Sequence, residues 1–352
     1  MDTGGGPLTI KRIIEDFSEF DHYVAGNEGV FMHGFRNMIG AEKVASLRGW
    51  RLHQNVILLV KLCRLHKIDV LHLHGRGAAS FGRLVKLYLS VKVIYTPNGF
   101  YPMSLPWYFR MLYILGERLL LRLTDLVHFV SESEKLTFSK SLRLPNEHQK
   151  LVFVQNYLNL NKSDYEKVRP YKHTSYKKIK FLFIGRLSMQ KGVDILVETI
   201  KILPYRDFHL TIIGYGEMEE YLVSMLDQYD LADNATYLGK VNEAFRLMPN
   251  FDALLLPSRF EGMPFTILEA MAYKLPIIAT PCNGSVDLIK NGNGYLSVAI
   301  TSNEFASSTM RFINDFNDNS DVIKNMVSNN YSRLLNEYSL SSVQKGIEAL
   351  YS

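Results

Sequence analysis

The sequence predicts an α/β protein of two doubly wound, Rossmann-like domains facing one another across a cleft, and three observations predict it. The chain has 352 residues, too many for one ordinary core and enough for two of about 150–180 residues each. Short apolar, β-rich runs alternate with longer amphipathic stretches, the rhythm of parallel strands covered by helices. That rhythm breaks once, at a polar stretch over residues 159–178 containing Pro170 and a cluster of Lys and Tyr, and then restarts.

In the first half the expected strands are residues 70–73, 92–96, 126–130 and 151–154, with helices over 55–66, 78–89 and 107–123. In the second half the strands are 180–184, 209–213, 236–238, 253–257 and 276–280. The expected division is therefore a first domain over 1–160, a linker over 161–178 and a second domain over 179–328. Terminal helices over 329–352 could pack on either domain. Ligands belong at the carboxyl ends of such strands. The beginning departs from the pattern. Thr3-Gly4-Gly5-Gly6 followed by a helix over 8–17 would normally follow a buried first strand, and only Met1 and Asp2 precede it. Either the sheet lacks a strand or the chain starts late, and a truncated or mis-assigned start is the favoured expectation.

Composition narrows the class. Hydrophobic residues make up 47% and charged residues 21%, the balance of a folded globular chain. Two cysteines, Cys63 and Cys282, make neither a disulfide framework nor a structural zinc site and read as core or near-core thiols in a reducing compartment. No apolar run reaches the roughly 18–20 residues of a membrane span, and no charged-then-apolar secretory pattern opens the chain. A cytoplasmic protein is expected. The net charge of +5 is uneven: residues 36–122 hold 14 basic and 3 acidic residues. Such an excess fits a solvated face, or attraction to an anionic surface or acceptor. No nucleic-acid-binding motif accompanies it, so no nucleic-acid partner is expected.

The richest segment is Phe260-Glu261-Gly262-Met263-Pro264-Phe265-Thr266-Ile267-Leu268-Glu269. Pro257-Ser258-Arg259 leaves a buried strand, and Glu261 to Met263 make the turn. Pro264 suits the first helical position, where a missing N–H costs nothing. Glu261 then lies in the loop, with Glu269 about 7.5 Å along the helix from Pro264. Carboxylates so separated can grip different parts of an elongated polyhydroxy ligand. Backbone N–H groups of Gly262, Met263 and Phe265 at the positive end of the helix can take anionic or hydroxyl oxygens. Alone, two glutamates eight apart also suit an ordinary exposed helix.

A second group is Gly185-Arg186-Leu187-Ser188-Met189-Gln190-Lys191-Gly192 at another strand end. Arg186 offers a fork and Lys191 a point charge, which could clamp a diphosphate and neutralise it as it leaves. Surface cations are the equally weighted alternative. No Asp-x-Asp ends a strand, and Asp318-Asn319-Ser320-Asp321 lies in a polar segment, so neither metal nor other cofactor is expected. Gly214-Tyr215-Gly216-Glu217 follows a strand and would let backbone approach a ligand, a weak signal by itself. It lacks the third glycine of a dinucleotide fingerprint, which disfavours an oxidoreductase. In the first half, His72-Leu73-His74-Gly75-Arg76-Gly77 and Thr96-Pro97-Asn98-Gly99-Phe100 close strands. His72 reads as a satisfied core or rim histidine; His74 and Asn98 are candidates to face the cleft. Residues 101–123, with Trp107, Arg110, Arg118 and Arg122, mix aromatics, aliphatics and arginines. An ordinary domain helix explains them, as does contact with an anionic membrane surface.

Taken in order, these pieces resemble the family 4 glycosyltransferases of the GT-B fold over nearly the whole chain. The resemblance rests on the N-terminal glycine loop, Ser131-Glu132-Ser133-Glu134 and Asn156, together with Gly185-Arg186…Lys191-Gly192, Gly214-x-Gly216 and Glu261-Gly262…Glu269-Ala270. It implies a retaining hexosyltransferase with a nucleotide-sugar donor and a glycan or lipid-linked saccharide acceptor, as in bacterial O-antigen, capsule or exopolysaccharide synthesis. Such an enzyme would be cytoplasmic or peripheral at the inner face of the cell membrane. The resemblance makes Glu261, Arg186 and Lys191 the expected catalytic residues, with the two cations on the donor diphosphate and Glu261 on the sugar. It implies no general-base role for Glu261. Donor binding is expected from Glu269, on the ribose hydroxyls, and from Gly262, Met263, Pro264, Phe265, Gly214, Gly216 and Gly185. Gly4, Gly5, Gly6, His74 and Asn98 fall on the acceptor side. Where similar enzymes often carry histidine, this chain has Asn98, which can hydrogen-bond but cannot titrate. A non-catalytic sugar-nucleotide-binding protein, or another GT-B enzyme such as a nucleotide-sugar epimerase or an inverting transferase, is the alternative.

Overall fold

The computed structural model describes residues 5–47, 49, 51–145, 147–160, 178–204, 207–290, 292–318 and 320–352. The expected linker over 161–178, save Lys178, and Gly4 of the glycine loop lie outside the described residues. The chain divides into two compact units, Met1–Gln155 with Lys345–Ser352, and Asn156–Gln344.

In the first unit the order is α1 (Gly5–Asp16), β1 (Val24–Gly26), α2 (Val30–Ile39), β2 (Val44–Ser46), α3 (Leu52–Leu65) and β3 (Val70–His74). There follow α4 (Gly75–Gly82), β4 (Lys92–Thr96), α5 (Trp107–Leu120), β5 (Leu126–Phe129), α6 (Glu132–Leu142) and β6 (Leu151–Phe153). The strands are parallel but form two sheets, β1-β2 and β3-β4-β5-β6. Strands β1 and β2 escape a pattern reading because they are only three residues long. They are held by a small cluster of Ile14, Val24, Met32, Phe35 and Val44. The four-stranded sheet buries Val93, Tyr95, Val127 and Phe129 on one face and Ile94 and His128 on the other, all to 2% exposure or less, as strands covered on both faces must.

Two expectations are corrected here. Gly5 and Gly6 are not a loop but the first turn of α1, whose Thr9 hydroxyl bonds back to the Gly5 carbonyl at 2.9 Å. The segment after His74 is also helical at once, with Ala79 and Gly82 one turn apart on its buried side and Gly82 set against Leu73 of β3.

The second unit carries β7 (Ile179–Ile184), α7 (Val193–Ile202), β8 (Phe208–Ile213), α8 (Glu219–Gln228), β9 (Ala235–Tyr237) and β10 (Ala253–Leu256). Then come α9 (Phe265–Ala272), β11 (Ile277–Ala279), α10 (Ser285–Leu288), β12 (Tyr295–Leu296), α11 (Ser302–Asp318) and α12 (Ser320–Glu337). All six strands are parallel, in the order β12-β11-β10-β7-β8-β9. Phe181, Phe183, Leu210, Ile212, Ala253 and Leu255 are fully buried in one core with Leu196, Ile200 and Phe312. Strand order reverses between β7 and β10, which makes their carboxyl ends the switch point of this sheet. The last helix, α13 (Leu340–Tyr351), contains the division between units. A parallel bridge from Leu158 to Ser339 ties its approach to the second unit, and Tyr351 belongs to the first.

Candidate functional site

At the switch point the loop after β7 and the loop after β8 are zipped together beyond the sheet. Gly185 N–H donates to Ile213 O at 3.1 Å, Leu187 N–H to Tyr215 O at 3.0 Å, and Met218 N–H to Leu187 O at 3.0 Å. Gly214, at φ +148°, comes so close that a β-carbon would overlap the Gly185 carbonyl, and one at Gly216 would overlap that of Leu187. Only glycine fits both needs.

The loop after β10 fastens to the same place. Gln190 Nε2 donates to Phe260 O at 3.0 Å, and Arg259 N–H donates to Gln190 O at 2.8 Å. The Arg259 guanidinium forks onto Asp194 at 2.7 and 2.6 Å, a bidentate geometry that fixes both loops. Within this frame Lys191 Nζ lies 2.6 Å from Glu261 Oε1, and the buried Ser258 hydroxyl donates to the same oxygen at 2.7 Å. Thr280 Oγ1 in turn donates to Ser258 O. Glu261 is 7% and Glu269 6% exposed, so neither is a solvated surface carboxylate. Arg186 and Lys191 are half-buried on the same loop. Arg186, Lys191 and Glu261 thus share the switch point, while Glu269 faces inward from α9.

Pro264 departs from expectation. It precedes the helix with extended backbone (φ −72°, ψ 119°) instead of starting it, and its carbonyl accepts from Ile267 N–H at 3.1 Å. Phe265, buried at 6%, is the first helical residue. Asn156 Nδ2 donates to Met263 O at 2.9 Å and so holds the turn from below. Sequence reasoning alone does not single out Gln190, Asp194, Ser258, Arg259 or Thr280. The first four sit within or beside the two motifs, but nothing in their spacing reveals which partner each meets.

In the first unit the expected residues Gly6, His74 and Asn98 come together. A β-carbon at Gly6 would lie 3.5 Å from Asn98 Nδ2 and 4.0 Å from His74 Cβ. Asn98 occupies the left-handed region at φ +53°, which Asn tolerates better than most residues. Its amide donates to His74 Nδ1 at 3.4 Å. Burial pushes the His74 pKa down to about 3, with the positive charge that His128 can carry adding to the effect, so the ring is neutral and able to accept. Glu134 holds this turn, its Oε1 accepting from the Gly99 and Phe100 amides at 2.6 Å each. Glu134 also occupies the third position of a helix capped by Ser131, whose hydroxyl accepts from Glu134 N–H at 3.2 Å.

Beneath His74 runs a chain of hydrogen bonds with one consistent direction. His128 Nε2 has only a carbonyl, Val154 O at 2.8 Å, so it must carry the proton. His128 Nδ1 therefore accepts from Thr96 Oγ1 at 2.9 Å. Thr96 Oγ1 accepts from His72 Nε2 at 2.8 Å, and His72 Nδ1 accepts from the Tyr351 hydroxyl at 2.8 Å. His72 is thus satisfied within the fold, as its sequence context suggests. Burial lowers the His128 pKa to about 4 and holds His72 well below the usual histidine range, with His74 and His128 adding to the effect. Among the described residues, no three His, Cys, Asp or Glu side chains group as a metal site.

Two family models match the chain. The model described as Glycosyltransferase Family 4 matches residues 20–162, and that described as Glycosyl transferases group 1 matches residues 164–328. The O-antigen biosynthesis glycosyltransferase WbnH of Escherichia coli is 26% identical over 272 residues, covering 72% of this chain and 75% of its own. The UDP-Gal:alpha-D-GlcNAc-diphosphoundecaprenol alpha-1,3-galactosyltransferase of Escherichia coli is 26% identical over 316 residues, covering 85% and 79%. The crystal structure of Anabaena HepE in complex with UDP and glucose superposes with a TM-score of 0.79 at 19% identity, covering 100% of this chain and 98% of that one. That likeness shows the fold, GT-B. With the two family models running between them from residue 20 to residue 328, the chain belongs to the family 4 glycosyltransferases.

Proposed function

We propose that the chain transfers a hexose from a nucleotide sugar to a glycan or lipid-linked saccharide in the assembly of a bacterial surface polysaccharide, with retention at the anomeric carbon. The observation that carries this reading is the Lys191–Glu261 pair, set by Ser258 at the switch point between β7 and β10. A nucleoside diphosphate needs cations placed beforehand where charge develops as the bond to the sugar breaks. Lys191 is oriented before any donor arrives, and Arg186 on the same loop adds a guanidinium whose planar fork suits phosphate oxygens. Glu261 then faces the sugar hydroxyls and Glu269 the ribose. Amides at the start of α9 add the positive end of a helix dipole. Gly185, Gly214 and Gly216 let the donor lie close to backbone.

The donor we favour is a UDP-hexose, since UDP appears in the names of both the galactosyltransferase relative and the HepE complex. The acceptor side is assigned to Gly6, His74 and Asn98. Attachment is peripheral, at the inner face of the cell membrane where a lipid-linked acceptor is presented; among the described residues no helix is long and apolar enough to cross a membrane. The test is substitution with donor binding and transfer measured separately. Lys191→Ala and Glu269→Ala should each weaken UDP-sugar binding by about tenfold or more, the worth of one charge-assisted contact, seen as a smaller thermal shift. Glu261→Ala should chiefly lower turnover. Wild-type transfer by all three variants would overturn the assignment, and a thermal shift with GDP-, dTDP- or CMP-sugars but not UDP-sugars would overturn the choice of nucleotide.

A further inference from the structure

Helix α5 is amphipathic in the wrong sense for a free-standing domain. Its inner side is firmly seated. Glu117, 4% exposed, is held by both terminal guanidinium nitrogens of the buried Arg83 at 2.9 and 3.0 Å. Arg118 Nε and Nη2 donate to Leu142 O at 2.9 and 2.6 Å, and Tyr113 and Ile114 pack on the core. The outer side carries Trp107 and Tyr108, then Met111, Leu112, Leu115 and Leu119, each between 49% and 66% exposed. The spacing of Tyr108, Met111, Leu112, Leu115 and Leu119 is one helical face, a stripe roughly 16 Å long. With Phe109 and Met103 beside it, also more than half exposed, eight large apolar or aromatic side chains lie outside within residues 103–119, a cluster unlike the singly scattered apolar residues of an ordinary surface.

We infer that this stripe is the surface by which the protein lies on an anionic lipid bilayer. Charge and composition choose this occupant. Between residues 97 and 124 the chain has Arg110, Arg118 and Arg122 and a single acidic residue, Glu117, which is turned inward onto Arg83. Arg122 is exposed in the turn over Leu121–Leu123 that packs against α5, and residues 36–122 carry 14 basic against 3 acidic residues, so a second copy docked on the same stripe would bring like charge toward like charge. An anionic headgroup layer supplies the missing negative charge at the rim. Trp and Tyr at one end suit the headgroup boundary, where an amphipathic ring keeps one end wet. Leu87 and Tyr88 are exposed as well, at the end of a turn that packs against that over Leu121–Leu123.

The inference deepens the peripheral attachment proposed above, but its test needs neither donor nor acceptor, so it can fail while the transfer reading stands, and the reverse. The full chain is mixed with vesicles of phosphatidylcholine, with and without phosphatidylglycerol, at physiological salt, and the bound fraction is read by sedimentation. The expected result is partition onto the anionic vesicles that falls as salt rises. Leu112→Asp with Leu115→Asp should lower it by at least about tenfold, with circular dichroism unchanged because both side chains are exposed. Arg122→Glu should lower it several-fold on anionic vesicles. The inference is overturned if the wild type stays in the supernatant, if the double variant partitions like the wild type, or if the stripe instead supports a dimer in solution that the double variant abolishes.

Discussion

Replacing His128 by glutamine should flatten the pH dependence of the first unit's stability. The side chain is 2% exposed, lies between Thr96 Oγ1 and Val154 O, and has its pKa lowered by burial to about 4. In the unfolded chain it titrates near 6.5. Because the folded value is the lower one, the native state favours the neutral ring, and stability is complete above about pH 6.5 and lost as pH falls toward 4. Integrating one proton between those values, about 2 kcal/mol disappears between about pH 7.5 and about pH 5. His72 and His74 shift the same way, so the wild type should lose more than this single share. A glutamine side chain has no proton to gain over this range. The gap in stability between wild type and His128→Gln should therefore narrow by about 2 kcal/mol over that range, roughly a 1 M change in urea midpoint. Urea unfolding followed by tryptophan fluorescence suits the purpose, because both tryptophans, Trp50 and Trp107, lie in the first half of the sequence. A gap that stays constant with pH, or a wild type that gains stability on acidification, would refute the hydrogen-bond assignment.

Breaking the buried Arg83–Glu117 pair from one side, as Glu117→Leu, should cost about 3–5 kcal/mol, and Arg83→Met in the same chain should recover most of it; urea midpoints of the single and double variants check this. Gly214→Ala should destabilise the second unit by about 2–4 kcal/mol through overlap with the Gly185 carbonyl. Gly34→Ala, in α2 with open space around it, should be neutral or stabilising by up to about 1 kcal/mol, and calorimetry of the pair separates strain from composition. Glu134→Ala strands the Gly99 and Phe100 amides and should cost about 3 kcal/mol, with faster amide exchange confined to the turn over 96–100.

Elements with strong periodicity, and the polar residues at their ends, follow from the amino-acid order alone. Strands such as Ile179–Ile184 and Lys92–Thr96 are legible because burial on both faces demands continuous β-branched and aromatic runs. Gly185, Arg186, Lys191, Glu261 and Glu269 stand out in the sequence because they occur in one order with the other motifs of the family; each alone also suits an ordinary surface. The three-residue strands Val24–Gly26 and Val44–Ser46 are too short to show a period, and only packing with Met32 and Phe35 makes them strands. The helical start at Gly5 opposes its local glycine signal and is likewise set by packing.

Side-chain partners come from the three-dimensional arrangement and from nothing shorter in range. Lys191 and Glu261 are 70 residues apart, and the order β12-β11-β10-β7-β8-β9 is what places β7 beside β10 and turns a loop cation and a loop carboxylate into one pair. The same holds for Glu134 beneath the Asn98 turn. It holds too for α5, whose aliphatics read equally well as core or as surface until Arg83 draws Glu117 inward and leaves the leucines outside. Local spacing states which faces a segment has; which face meets the protein depends on strand order and on long-range charge pairing, and neither is written in any one window of the sequence.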